Sequence, residues 1–311
     1  MNRLTFVLTI SVSILLISCK SEVEFTDPQL PLEAFYQGYQ KQPEVVEFEN
    51  SESIEFTSNG GYIVNIPKHA FTLSDGRSFS GTVTLEYTEL LNKSEMVLSD
   101  KHTLDSENKP MISAGEFGIK ATSEQGTLQI AEGMEITILS PQIEEQDYLK
   151  KMQAYDLVND EWSISLDNSL DINSVDTTVI DSTLFMSFFG RIRNLPSTPA
   201  ISWVNWDVPI VDDYVTVNFE ISNPSKQNSS SILVRELNTV IKLSDMDSNG
   251  FVSYQYCPRN VDCNYLIWGY NGSYLMASLT SFKASTDQTI ELNPMYSISE
   301  KELVELIESA Y

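Results

Sequence analysis

The segment Asp245-Met246-Asp247-Ser248-Asn249-Gly250 sets oxygen-bearing side chains at alternate positions, with a glycine at the sixth. That is the first half of an EF-hand-type loop, in which Asp245, Asp247 and Asn249 would ligate calcium. The twelfth position holds Tyr256 instead of a bidentate glutamate, and strand-like alternation flanks the segment. The same residues therefore also read as an acidic turn, where Asp, Asn and Gly are favoured. A second chemistry is glycan stacking. Trp203, Trp206 and Trp268, with Tyr265, Tyr270 and Tyr274, offer flat apolar faces. Aromatics of this size are commoner in cores, and Trp203 and Trp206, three apart in a non-helical stretch, point in different directions. A third chemistry is that of sulfur. Cys257 and Cys263 enclose five residues. In an oxidising compartment a disulfide there would contribute about 2 kcal/mol on the chain-entropy view, the alternative being two thiols. Two sulfurs without a neighbouring His or a further Cys make no closed zinc site.

Counting excludes much else. There are two histidines, His69 and His102, and neither comes with a Gly-x-Ser-x-Gly elbow for a serine triad. The 44 Asp+Glu single out no carboxylate pair for glycoside hydrolysis. No phosphate-binding glycine fingerprint is present, so the chain reads as no enzyme and as needing no cofactor beyond the calcium considered above. Against those 44 acids stand 19 Lys+Arg, a net charge of −25 over 311 residues. Such a chain lacks the basic footprint that a nucleic-acid partner requires, and charge alone would not hold it on anionic lipid. Hydrophobic residues at 41% are enough for a packed core, so most of the length is expected to fold.

The N-terminus supplies the address. Arg3 precedes an uncharged apolar run, Leu4 to Ile17, which is too short to span a bilayer comfortably and suits the core of a signal peptide. The run ends Leu16-Ile17-Ser18-Cys19, which resembles the lipobox of bacterial lipoproteins. The resemblance implies cleavage after residue 18, lipidation of Cys19 and attachment to a membrane through that lipid. Lys20-Ser21-Glu22-Val23-Glu24 is loosely similar to the acidic stretch of surface-exported Bacteroidota lipoproteins. An outer-membrane lipoprotein, facing either the cell surface or the periplasm, is the expected setting. Residues 19–44, with Pro28, Pro31 and Pro43 and no sustained periodicity, read as a tether.

These chemistries need a scaffold, and from Val45 onward the pattern is short alternating runs broken by turn residues. Tyr62 to Ile66 follows Asn59-Gly60-Gly61, Gly81 to Tyr87 alternates throughout, and Glu116 to Ala121 and Met134 to Leu139 repeat the theme. Alternation with one buried face is the mark of antiparallel sandwiches. The stretch Gly60-Gly61-Tyr62-Ile63-Val64-Asn65-Ile66-Pro67-Lys68-His69-Ala70-Phe71, followed by Gly81 to Tyr87, resembles a segment of Bacteroidota secreted proteins and lipoproteins. It is also distantly similar to the ZU5 β-sandwich. Ser113 to Ile119, and Met152 to Leu157 leading to Trp162, fit the same pattern. The resemblance implies a sandwich over residues 45–164 and carries over no catalytic residue.

Residues 165–183 are rich in Asp, Ser, Thr and Asn and read as a solvated linker. Within it Asp176-Thr177-Thr178 and Asp181-Ser182-Thr183 resemble O-glycosylation sites of the same bacterial group. Residues 184–311 read as a second sandwich, with strands near 214–221, 231–234, 240–243, 251–256, 265–270 and 274–279 and a hairpin turn at Asn271-Gly272. Ser299-Glu300-Lys301-Glu302 is a capping box for a terminal helix, whose apolar face is Leu303, Val304, Leu306 and Ile307. The expectation is therefore all-β: two antiparallel sandwich modules and a short C-terminal helix, preceded by a lipoprotein signal peptide. The expected role is binding or scaffolding at the cell envelope, with an envelope protein or a glycan as partner. Alternative expectations are a glycan-binding surface lipoprotein and a fimbrial or adhesion subunit.

Overall fold

A computed structural model describes residues 32–144, 147–171, 178–180, 183–195, 200–210, 213–222, 227–244, 246–247 and 249–310. The expected leader, Cys19, Asp245 and most of both candidate glycosylation tripeptides lie outside the described residues. The described chain is mostly β, in several largely antiparallel sheets with three short helices, one of them at the C-terminus.

The first body is a sandwich. Its main sheet runs, in spatial order, Glu44–Glu49, Thr82–Leu90, Met111–Ser123, Ser202–Pro209, Gln153–Val158 and Glu161–Ile164. Facing it is a five-stranded sheet ordered Ser169–Asp171, Phe189–Ile192, Ile136–Leu139, Ile63–Ile66 and Ile54–Thr57. The alternating residues Val83, Leu85 and Tyr87 meet Val64, Ile66, Ile136 and Ile138 in one core. The Gly60-Gly61 turn has a physical cause. A Cβ on Gly60 would lie 2.4 Å from Oε2 of Glu89, and the Gly60 N–H donates to that same oxygen at 3.0 Å. Ser58 Oγ and Tyr87 Oη donate to the other carboxylate oxygen, so this buried acid has three donors.

The second body packs a three-stranded sheet (Phe251–Pro258, Tyr214–Glu220, Gln288–Glu291) against a five-stranded one. The latter is ordered Thr239–Leu243, Gln227–Val234, Val261–Asn271, Tyr274–Ala284 and Tyr296–Ser297. Strands Tyr214–Glu220 and Gln288–Glu291 pair in parallel, the others antiparallel. Val261–Asn271 is buried on both faces. Tyr265 and Ile267 point into the sandwich, while Leu266, Trp268 and Tyr270 point outward under the helices. The helices Leu32–Tyr39, Lys93–Leu98 and Glu300–Ser309 form that cover, contributing Phe35, Met96, Val97, Leu303 and Ile307. Both hydrogen bonds of the expected capping box form at Ser299 and Glu302.

Three boundaries differ from the sequence-based expectation. Phe189–Ile192 and Ser202–Pro209, expected in the second module, pair within the first: the former lies against Ile136–Leu139, and the latter between Met111–Ser123 and Gln153–Val158. The expected linker contributes Ser169–Asp171 and Thr178–Ile180 as strands. The expected tether holds the helix Leu32–Tyr39, because Phe35 has an apolar cover to complete and is 2% exposed. These departures share a cause. Long-range strand pairing and docking contribute free energy that local composition does not record.

Candidate functional site

The two bodies meet along a seam, and the polar chemistry of the chain is concentrated there. Asn92 caps the short helix Lys93–Leu98 by accepting from the Glu95 N–H at 3.0 Å. That places Lys93 at the helix start, where its Nζ donates to the carbonyls of Val234 at 2.6 Å, Arg235 at 3.0 Å and Leu237 at 3.1 Å. Burial, the largest cause, brings its pKa down to about 8. The chain then runs through Asp100 to Leu104 along the second body: Thr103 N–H donates to the Val240 carbonyl, and Met111 N–H to the Thr103 carbonyl. Asn238 closes the seam by donating from Nδ2 to the carbonyls of Leu91 and Ser113.

A cavity of about 160 Å³ opens on this seam, lined by Asp100, Lys101, His102, Asp160, Trp162 and Lys242. Lys242 pairs with Asp100 at 2.7 Å, and the Lys101 ammonium lies 5.2 Å from the ring centroid of Trp203. Trp162 donates from Nε1 to the His102 carbonyl at 2.6 Å. His102 Nδ1 accepts from the Leu104 N–H at 3.2 Å. Its pKa falls to about 4, first because burial disfavours the imidazolium and then because Lys242 and Lys101 repel it.

The sign of the resulting pH dependence follows directly. Between about 6.5 and 4 the unfolded chain protonates His102 and the folded chain does not, so stability is lost as pH falls through that window. Discounted for solvent screening, the loss at pH 4 is on the order of 2 kcal/mol. His102→Asn keeps an acceptor for Leu104 and is expected to flatten this part of the stability–pH profile, measured by urea unfolding from pH 7 to pH 4. Parallel profiles for the two chains would contradict it.

The residues singled out in the sequence do not gather here. Trp206 is fully buried in the first core, its ring 4.3 Å from Phe117 and 5.3 Å from Phe188. Trp268 is 1% exposed beneath the helical cover, against Tyr36. Only Trp203 is partly exposed, and Lys101 lies over it. The expected stacking platform is thereby corrected: alternation turns Trp206 inward, and the helices cover the outer face that carries Trp268. Cys257 and Cys263 are buried free thiols from the two facing sheets of the second body. Hydrogen bonding with Cys257, then burial, pushes the Cys263 thiol up. In the acidic turn, Asp247 Oδ1 accepts from the N–H groups of Asn249 and Phe251 at 2.9 and 3.0 Å. The Phe251 bond is the largest cause of a lowered carboxyl pKa. Gly250 at φ +80 completes the turn. Among the described residues, no three or more His, Cys, Asp and Glu are grouped to hold a metal. His69 is exposed, on the turn that follows Ile63–Ile66.

Sequence reasoning missed Lys93, Glu116 and Asp207. Phe117, Ile119 and Ala121 face inward, so Glu116 is expected in solvent by simple alternation. The second body docks along this strand, with Asn238 bonded to Ser113, and no local pattern announces that.

No protein-family model matches the chain, and no curated protein matches it. Among solved structures it is similar to BcpA, the major pilin subunit of Bacillus cereus, at 10% identity. That alignment covers 75% of this chain and 85% of the pilin, with a TM-score of 0.18, a likeness too slight to carry function. Among the described residues no helix is long and apolar enough to cross a membrane.

Proposed function

We propose that this chain is a membrane-anchored extracytoplasmic lipoprotein whose two joined sandwiches bind or scaffold at the cell envelope. The observation that carries the reading is the uncharged run Leu4 to Ile17 ending at Ser18-Cys19, ahead of a body described from Leu32 onward. Acyl chains on Cys19 would hold the body at the membrane, each buried methylene contributing about 0.8 kcal/mol. The surface that this anchor presents carries most of a net charge of −25, which favours solubility in a crowded envelope and disfavours contact with anionic lipid.

Cys19→Ser tests the anchor. In the native host the unaltered chain is expected in the membrane fraction and the variant in the soluble fraction. An unaltered chain that fractionates as soluble, or a variant that stays with the membrane after a carbonate wash, would overturn the proposal.

A further inference from the structure

We propose that Glu116 and Asp207, together with Asn205 and Ser113, form a binding site for a hard divalent cation of the calcium type, set in the seam between the two bodies. The site begins with a bulge. In the pairing of Met111–Ser123 with Ser202–Pro209, Asn205 faces Glu116 while Asp207 faces Ser113, so Ala114 and Gly115 stand against Trp206 alone. Gly115 accommodates this at φ +140. The extra residue turns Ser113 and Glu116 to one face, beside Asn205 and Asp207 and opposite the face that Trp206 and Phe117 give to the core. Ser113 Oγ donates to Asn205 Oδ1 at 2.8 Å, and Asn205 Nδ2 donates to Asp207 Oδ2 at 2.6 Å.

All four side chains are inaccessible or nearly so: Glu116, Asn205 and Asp207 are 0% exposed and Ser113 is 4%. Yet both carboxylate oxygens of Glu116 and Oδ1 of Asp207 have no hydrogen-bond partner. Glu89, buried in the same sheet, shows what this chain does with an acid that needs no ligand: it supplies three donors. A buried carboxylate with both oxygens open, beside a second that has a donor on one oxygen alone, carries a large desolvation cost. A single shared proton would satisfy two of the three open oxygens. A divalent cation satisfies all three and balances both charges, and the Asn and Ser oxygens are of the type that completes a calcium shell. Lys101, whose charge acts on Glu116, stands over Trp203, and Tyr155 lies on the neighbouring strand opposite Asn205. Neither bonds to the open oxygens.

The test is elemental analysis of the protein purified without chelator, followed by thermal melting after refolding in excess EDTA or excess CaCl₂. The expected result is about one equivalent of calcium or magnesium per chain, and a melting temperature about 5 °C higher in saturating calcium. Glu116→Gln combined with Asp207→Asn is expected to lose both the bound metal and the shift. Asp247→Asn, in the acidic turn, is expected to keep them. The inference is overturned if the unaltered chain holds no stoichiometric metal and melts alike in EDTA and calcium. It is equally overturned if Asp247→Asn, and not the seam variant, abolishes binding. The content of the unaltered chain decides the matter even where the double variant fails to fold.

Discussion

Trp206→Ala is expected to lower unfolding free energy by about 3–5 kcal/mol, the cost of emptying a fully buried aromatic site. Trp206 contacts Phe117, Phe188 and Tyr62, with ring centroids at 4.3, 5.3 and 6.3 Å, and these rings cannot collapse far into the space it leaves. The facing strand is fitted to it. A Cβ on Gly190 would lie 1.8 Å from the indole, so Gly190 is where the two sheets approach most closely around this ring. Gly190→Ala should therefore be strongly destabilising in the unaltered chain and much less so beside Trp206→Leu, a positive coupling readable from a double-mutant cycle of urea midpoints. Additive costs would mean that residues 202–209 do not share a core with residues 189–192.

Lys93→Met is the second large effect, expected to destabilise by about 3 kcal/mol. Three carbonyls of the second body, those of Val234, Arg235 and Leu237, lose a charged donor supplied by the helix Lys93–Leu98. Methionine retains most of the stem's volume, so the loss isolates the ammonium. Because this helix follows directly on the first-body strand Thr82–Leu90 and Lys93 fixes it to the second body, the variant is also expected to unfold in two steps where the unaltered chain unfolds in one, with tryptophan fluorescence and far-UV circular dichroism no longer coinciding in urea. Coincident transitions at an unchanged midpoint would show that the seam does not depend on Lys93.

What could be read in the sequence was whatever a strand or turn records locally. Val83, Leu85 and Tyr87 alternate because one face of their strand is buried, and Ser299 with Glu302 caps a helix through bonds three residues apart. Asn271-Gly272 marks a hairpin because Gly272 takes φ +66. Pairings between distant segments left no such trace. Ser202–Pro209 reads equally well as the start of the second module, and only its register with Met111–Ser123 and Gln153–Val158 assigns it to the first. The site suffered most. Trp206 and Trp268 carry the same flat faces whether they meet a sugar or a core, so residue type alone could not distinguish these uses. Glu116 reads as a solvated residue on an alternating strand, and its burial goes with a bulge at Gly115 and a second body docked along the strand.

The Gly60-Gly61 pair shows how a motif and its structural reason can be separated. As sequence it supports a resemblance; in the fold, Gly60 is small because the Glu89 carboxylate occupies the place of its side chain. Gly60→Ala is accordingly expected to disturb the Glu89 bonds before anything else in the first body.

A folded two-sandwich body held at a membrane through its N-terminus requires a processed and acylated chain, which mass spectrometry of the N-terminal peptide of the natively expressed protein reads directly. The expected peptide begins at Cys19 and carries a diacylglyceryl group on its sulfur. An N-terminus at Met1, or an unmodified Cys19 in the mature chain, would contradict it.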